Sequence, residues 1–75
     1  MRLTQCKKNI NMQITKIKIE ANMRERLKEL GFIEGASIKF LYKFNTSFAF
    51  KIKNTIIGLR KEDAEKIIVE EYMQK

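Results

Sequence analysis

The run Leu27-Lys28-Glu29-Leu30-Gly31-Phe32-Ile33-Glu34-Gly35 constrains this chain most, because two of its three glycines stand four residues apart in it. Ahead of Gly31, Met23, Leu27 and Leu30 recur at i, i+4 and i+7, the spacing of one apolar helical face. That spacing predicts a helix over 21–30. Asn22 stands where an N-cap oxygen can accept from a first-turn amide, and Glu25, three residues on, completes a capping box. Gly31 is placed to leave the helix in the left-handed conformation that glycine takes without Cβ strain, with Phe32 folding back onto Leu27. Gly35 then turns the chain towards the next strand. The junction therefore fixes the helix against whatever sheet follows.

Around the junction the periodicity is that of strands. Residues 10–19 alternate as Met12 and Ile14, then as Ile17 and Ile19, and the two pairs are out of phase by one residue. A bulge or sharp bend at Thr15-Lys16 would return both pairs to one face. Residues 36–44 alternate Ile38, Phe40, Tyr42 and Phe44 against Ser37, Lys39, Leu41 and Lys43, which predicts an inward aromatic row. Asn45-Thr46-Ser47 is a turn, and 48–53 returns with Phe48, Phe50 and Ile52 inward and Ala49 outward. After a turn at 53–55 comes a short strand at 56–59, where Gly58 implies a bend or a close backbone approach. A helical turn follows over 61–66, with Ala64 facing the core, and then a strand over 67–69. Near the start, Leu3 and Cys6 are the apolar members of a short segment, and Asn9 suits a left-handed turn. Five short strands with few residues between them, mainly β with short helices, imply a small, partly open barrel capped by one helix.

With 75 residues the chain has room for one domain, expected over 1–75, with its core at 3–69 and a frayed tail at 70–75. A domain this small buries roughly 60% of its unfolded surface, leaving little room for an enclosed substrate cavity. The net charge is +7 and unevenly placed. Residues 36–61 carry Lys39, Lys43, Lys51, Lys53, Arg60 and Lys61 and no acid, and residues 1–19 are likewise basic only. The nine acids lie in 20–35 and 62–75, the helical stretches. The strands thus present a basic surface, suited to an acidic partner, a nucleic acid or an anionic membrane, or simply kept soluble by lysine.

Chemistry-bearing motifs are few. The chain has no histidine, which removes histidine acid–base catalysis and histidine metal ligation. Its one cysteine, Cys6, precludes an internal disulfide and fits a reducing, cytosolic setting as a small core residue. No glycine-rich phosphate loop is present. No apolar run is long enough to span a bilayer. The sequence supports no enzyme and calls for no cofactor.

Two blocks resemble the ferrous iron transport protein A (FeoA) family. Residues 26–38, Arg-Leu-Lys-Glu-Leu-Gly-Phe-Ile-Glu-Gly-Ala-Ser-Ile, are similar to the family's Arg-Leu, two variable residues, Leu-Gly, an apolar residue, then Pro-Gly and a strand. Residues 59–69 are similar to its Leu-Arg, a following Ala, and Ile-x-Val. Leu3, Cys6, Asn9, Ile14 and Ile17 also fall at the family's N-terminal spacing. Glu34 stands where the family has Pro, Asn9 where it has Gly, and Cys6 where it has Leu. The resemblance implies an SH3-like small β-barrel in the cytoplasm. It also implies a role in bacterial ferrous iron uptake, through the membrane transporter FeoB and that transporter's cytosolic, GTP-binding region. Similar domains occur at the C-terminus of DtxR-type metal-dependent regulators, but the stand-alone accessory protein matches better. No metal-binding residue carries over.

Three functions therefore compete: a module that binds and regulates the transporter, a basic nucleic-acid-binding barrel, and a GTPase activator offering Arg24, Arg26 or Arg60 to transferring phosphate. The aromatics alternate inward, so no nucleic-acid partner is expected. Arg24, Lys28, Ile33, Lys39 and Lys43 are the residues expected to meet a partner. Asn22, Leu27, Leu30, Gly31, Gly35, Leu59 and Ala64 are expected to hold the fold. No membrane insertion is expected, and the chain is expected to be a monomer or a weak oligomer.

Overall fold

Alternating apolar residues form strands wherever one face can be buried, and five such stretches organise residues 1–71, which the computed structural model describes. They are β1 (Asn11–Ile17), β2 (Ser37–Phe44), β3 (Ser47–Ile52), β4 (Thr55–Arg60) and β5 (Ile67–Glu71). Helix α1 (Ala21–Glu29) lies between β1 and β2, and the single turn α2 (Lys61–Ala64) between β4 and β5. All pairings are antiparallel, in the order β4-β3-β2-β1-β5. The architecture is a mainly β, SH3-like sheet with one buttressing helix. Its hydrogen-bonded ladder stays open, with β4 and β5 at the edges. Ahead of β1, Leu3–Gln5 forms a 3₁₀ turn, and Asn9 takes φ +61° before the chain enters the sheet.

Two bulges decide which side chains reach the core. In β1, Ile14 pairs with Val69 and Lys16 with Ile68, so Thr15 is the extra residue. Its hydroxyl donates to the Ile68 carbonyl at 3.2 Å. This is the phase break expected at Thr15-Lys16, and Met12, Ile14, Ile17 and Ile19 are all buried. In β2, Phe40 pairs with Phe50 and Tyr42 with Ala49, which leaves Leu41 as a second extra residue. A one-residue slip moves every later side chain to the opposite face. Tyr42 and Phe44, expected inside, are therefore outside, 48% and 68% exposed. Phe40, Phe48 and Phe50 still form the aromatic heart of the core, with ring centroids 5.6–6.2 Å apart.

Helix α1 departs from expectation at its start. Its N-cap is Glu20, with no side-chain cap bond, and Asn22 lies within the first turn as an exposed residue. Leu27 is buried and Met23 half-buried, but Leu30 is 46% exposed, because the helix has already begun to unwind there. The exit matches the pattern expected of Gly31. Gly31 takes φ +105°, its amide donates to the Lys28 carbonyl at 3.0 Å, and the Phe32 amide donates to the Leu27 carbonyl at 2.9 Å. These two bonds constitute a Schellman cap. Phe32 lands in the core at 1% exposure, a burial that contributes about 1.5–3 kcal/mol.

Elsewhere, Ala64 and Leu59 are buried as expected. Ala49 lies on the outer face as expected, opposite Tyr42, but is only 9% exposed there. Nothing crowds Gly58, where a Cβ would meet no atom within 4 Å, so the close approach inferred there does not occur. Glu70 and Glu71, assigned to a frayed tail, belong to β5 and pair with Gln13 and Met12. The rest of that assigned tail, 72–75, lies outside the described residues.

The backbone at Gly31 sets the first expected outcome. Gly31→Ala should lower stability by about 1 kcal/mol through strain at positive φ, since a Cβ there meets Ile52 only at ordinary contact distance. Gly58→Ala should cost nothing of that kind. Urea midpoints of the two variants check this, and equal midpoints would contradict the left-handed exit.

Burial pushes the Cys6 thiol up to about 11 from its ordinary 9.0, against a smaller opposing pull from the positive amino terminus. The unfolded chain therefore loses a proton that the folded chain keeps as pH rises from about 9 to about 11, and stability falls across that window. Urea midpoints should fall more steeply there for the native chain than for Cys6→Ala. Parallel slopes would mean that the thiol is as free in the folded chain as in the unfolded one.

Candidate partner-docking groove at the helix exit

The turn that follows α1 builds a surface as well as an anchor. After Phe32 turns inward, the Ile33 amide donates to the Gly31 carbonyl at 3.0 Å and the Ala36 amide to the Ile33 carbonyl at 3.1 Å. Glu34 and Gly35 are thus the central residues of a β-turn. Gly35 holds φ +93° at the third position, where type II turns require glycine. The Gly35 amide then donates to the Ile14 carbonyl at 2.6 Å and the Ile14 amide to the Ala36 carbonyl at 2.9 Å, which ties the turn to β1. With both neighbours tied down, Ile33 is held outward at 43% exposure.

Arg24 and Lys28 lie four residues apart on α1, so they share a face. That face meets the turn. Ile17, Arg24, Lys28, Phe32, Ile33 and Glu34 line a shallow groove of about 260 Å³. The Arg24 guanidinium is positioned by a bond from its Nη2 to the Ile17 carbonyl, 3.1 Å away. The groove therefore combines an apolar floor, one exposed apolar side chain, two cations and one carboxylate. An arrangement of this kind has the composition of a protein-contact surface, an apolar centre with a charged rim.

Of the five residues expected to meet a partner, Arg24, Lys28 and Ile33 come together here. Lys39 lies apart, half-buried in β2, and lines a depression of about 410 Å³ with Asn11, Ala36, Ser37, Lys51, Ile52 and Lys53. Lys43 is elsewhere again, its Nζ 5.6 Å from the centre of the Phe48 ring. The sequence reading missed Glu34 and Ile17 as groove residues. Glu34 had a signal, since it occupies the exposed second position of the turn that Gly35 defines. Among the arginines considered as phosphate-stabilising groups, Arg24 is engaged with Ile17. Arg26 and Arg60 line a separate groove between α1 and β4, with Asp63. Among the described residues, no three of His, Cys, Asp and Glu gather where they could hold a metal ion. Among the same residues, no helix is long and apolar enough to cross a membrane.

The open sheet, its buttressing helix and the groove at the helix exit define a small SH3-like domain. The sequence matches the FeoA domain profile over residues 1–71, and the chain belongs to the FeoA family. It is similar to the solution structure of iron(II) transport protein A from Clostridium thermocellum, with 27% identity and a TM-score of 0.85. That likeness covers 95% of this chain and 45% of the other, so the chain spans less than half the length of that protein. The solution structure of the FeoA protein from Chlorobium tepidum is 25% identical with a TM-score of 0.90, covering 97% of this chain and 71% of that one. The crystal structure of ScaR with bound Zn²⁺ shares the fold, at 20% identity and a TM-score of 0.82, over 96% of this chain and 37% of that one. No match was found among curated protein sequences.

The Arg24 bond gives an expected outcome for the groove itself. Arg24→Met keeps the stem and removes the donor, and should cost on the order of 1 kcal/mol by leaving the Ile17 carbonyl with water alone. Unchanged thermal stability would mean that the bond does not order the groove.

Proposed function

We propose that the chain is a cytoplasmic accessory protein of ferrous iron uptake, which binds the membrane transporter FeoB through the transporter's cytosolic region and regulates it. The observation that carries this reading is the family match along 1–71, joined to the groove at the helix exit. Ile33 is the contact at its centre. It is a large apolar side chain held in water by two tethered turns, and burying it against a partner recovers about 1 to 2 kcal/mol. Arg24 and Lys28 beside it favour an acidic rim on the transporter and speed encounter more than they tighten the complex. Regulation in this reading follows from binding alone and calls for no catalytic group on this chain.

The test is co-purification of the tagged chain with full-length transporter in membranes. The native chain should retain the transporter, and Ile33→Glu should lose it while melting at the same temperature, since Ile33 lies outside the core. Equal retention by both would remove the groove from the interface. Absence of any association, in every nucleotide state, would remove the reading itself.

The likeness to ScaR supports a second reading, in which the domain serves a metal-dependent regulator as its C-terminal-type domain. Direct nucleic-acid binding through the basic strands is the remaining alternative, and such binding weakens steeply with salt. A gel shift at low salt separates direct nucleic-acid binding from transporter binding. The transporter reading expects no shift with DNA or RNA, and a salt-sensitive shift would oppose it.

A further inference from the structure

The two edges of the sheet are treated differently. The outer edge of β5 is covered by the chain's own start: Arg2 bridges Ile68, the Val69 amide donates to the Met1 carbonyl at 2.7 Å, and the Met1 amino group donates to the Val69 carbonyl at 3.0 Å. Among the described residues no backbone bond covers β4 in this way, although side chains of α1, Met23, Arg26 and Leu30, stand across a groove from it. The bond from the Lys61 amide to the Thr46 carbonyl, 3.0 Å long, continues the β3–β4 ladder and fixes its phase. Bonded pairs alternate in an antiparallel ladder, so Leu59, Ile57 and Thr55 bond to β3. The amides and carbonyls of Ile56 and Gly58, and the amide of Arg60, then face away from the sheet. Natural edges are blunted by charge, proline or a bulge. β4 has no charged residue between Lys53 and Arg60, the chain has no proline, and the β3–β4 register runs without a shift.

The face beside this edge is also open. The Leu41 bulge places three rows of side chains on it: Lys39, Lys51 and Ile56; then Tyr42, Ala49 and Gly58; then Phe44, Ser47 and Arg60. The middle row is a trough, with Ala49 and bare Gly58 as its floor and the exposed Tyr42, Phe44 and Ile56 as its walls, about 380 Å³ in volume. By register the row of Lys39 and Lys51 flanks it on one side and that of Arg60, which also lines the groove with Asp63, on the other.

We propose that β4 and this trough bind an extended peptide segment of a partner protein by strand addition, reading the pattern acidic, any residue, large apolar, any residue, acidic. Backbone bonds to Ile56, Gly58 and Arg60 supply the pairing. Cross-strand neighbours project from the same face, so the residue opposite Gly58 lies over the bare floor against Tyr42. The residues two positions away on either side reach Arg60 and Lys51, which sets the acidic flanks. A second copy of this chain is a poor occupant. Pairing β4 with its own copy would bring two +7 chains together along faces that hold no acid between residues 36 and 61. The surface is separate from the helix-exit groove and does not depend on it.

The probe is a blocked synthetic peptide, Thr-Glu-Thr-Ile-Thr-Glu-Thr, titrated into the full chain and followed through its backbone amide resonances. Shifts should centre on Ile56, Gly58 and Arg60. The same peptide with Lys for Glu should bind roughly ten-fold more weakly or worse. Gly58→Val fills open space at an ordinary backbone conformation, and Tyr42→Ser alters an exposed side chain. Each should weaken binding by about ten-fold with an unchanged melting temperature. The proposal is overturned by no shift at millimolar peptide, by shifts centred on Arg24 and Ile33, by equal binding of the lysine peptide, or by a chain that sediments as a β4-paired dimer on its own.

Discussion

One backbone bond, from the Phe32 amide to the Leu27 carbonyl, governs how this small sheet and its helix come together. It exists because Gly31 turns left-handed, and its effect is to aim Phe32 into the core directly under α1. Everything downstream inherits that placement. The next turn is tethered to Ile14, β2 starts in register with β1, and Ile33 is left on the surface beside Arg24 and Lys28. Anchoring and exposure are two consequences of one geometry. A residue that points outward between two anchored neighbours cannot relax into the core, so its exposure is set by the fold.

The two bulges carry the rest of the arrangement. Each inserts one residue into a strand, with opposite effects on the core. Thr15 lets β1 bend while Met12, Ile14 and Ile17, and Ile19 just beyond the strand, stay buried, and its hydroxyl satisfies the Ile68 carbonyl. Leu41 turns Tyr42 and Phe44 out to water. Together with Ile56 they form an exposed apolar group on the outer face, the surface on which the proposed peptide pairing rests.

The sequence was most informative where a local rule had no competitor. Gly31 and Gly35 announced positive φ, the phase slip at Thr15-Lys16 announced a bulge, and Ala64 announced a close approach of α2. It was silent where tertiary pairing decides. Residues 36–44 alternate without fault, so nothing in them marks Leu41 as supernumerary. The extra residue becomes visible only against the register of β3. Asn22 has the chemistry of a cap, but the helix begins one residue earlier, with Glu20 ahead of it. Leu30 keeps helical spacing, yet the exit at Gly31 turns it to solvent. For the candidate site, Arg24, Lys28 and Ile33 come together because Arg24 and Lys28 lie one turn apart on the helix face that meets the glycine exit. Lys39 and Lys43 belong to other surfaces because the bulge between them separates their faces.

The helix exit is the face proposed to turn towards the transporter. Amide hydrogen exchange of the chain, alone and with full-length FeoB in membranes, tests it most directly. Exchange should slow at Ile33 and Glu34 and along the Arg24–Lys28 face of α1 on addition of the transporter. Protection confined to the sheet, or an exchange pattern that the transporter does not alter, would contradict it.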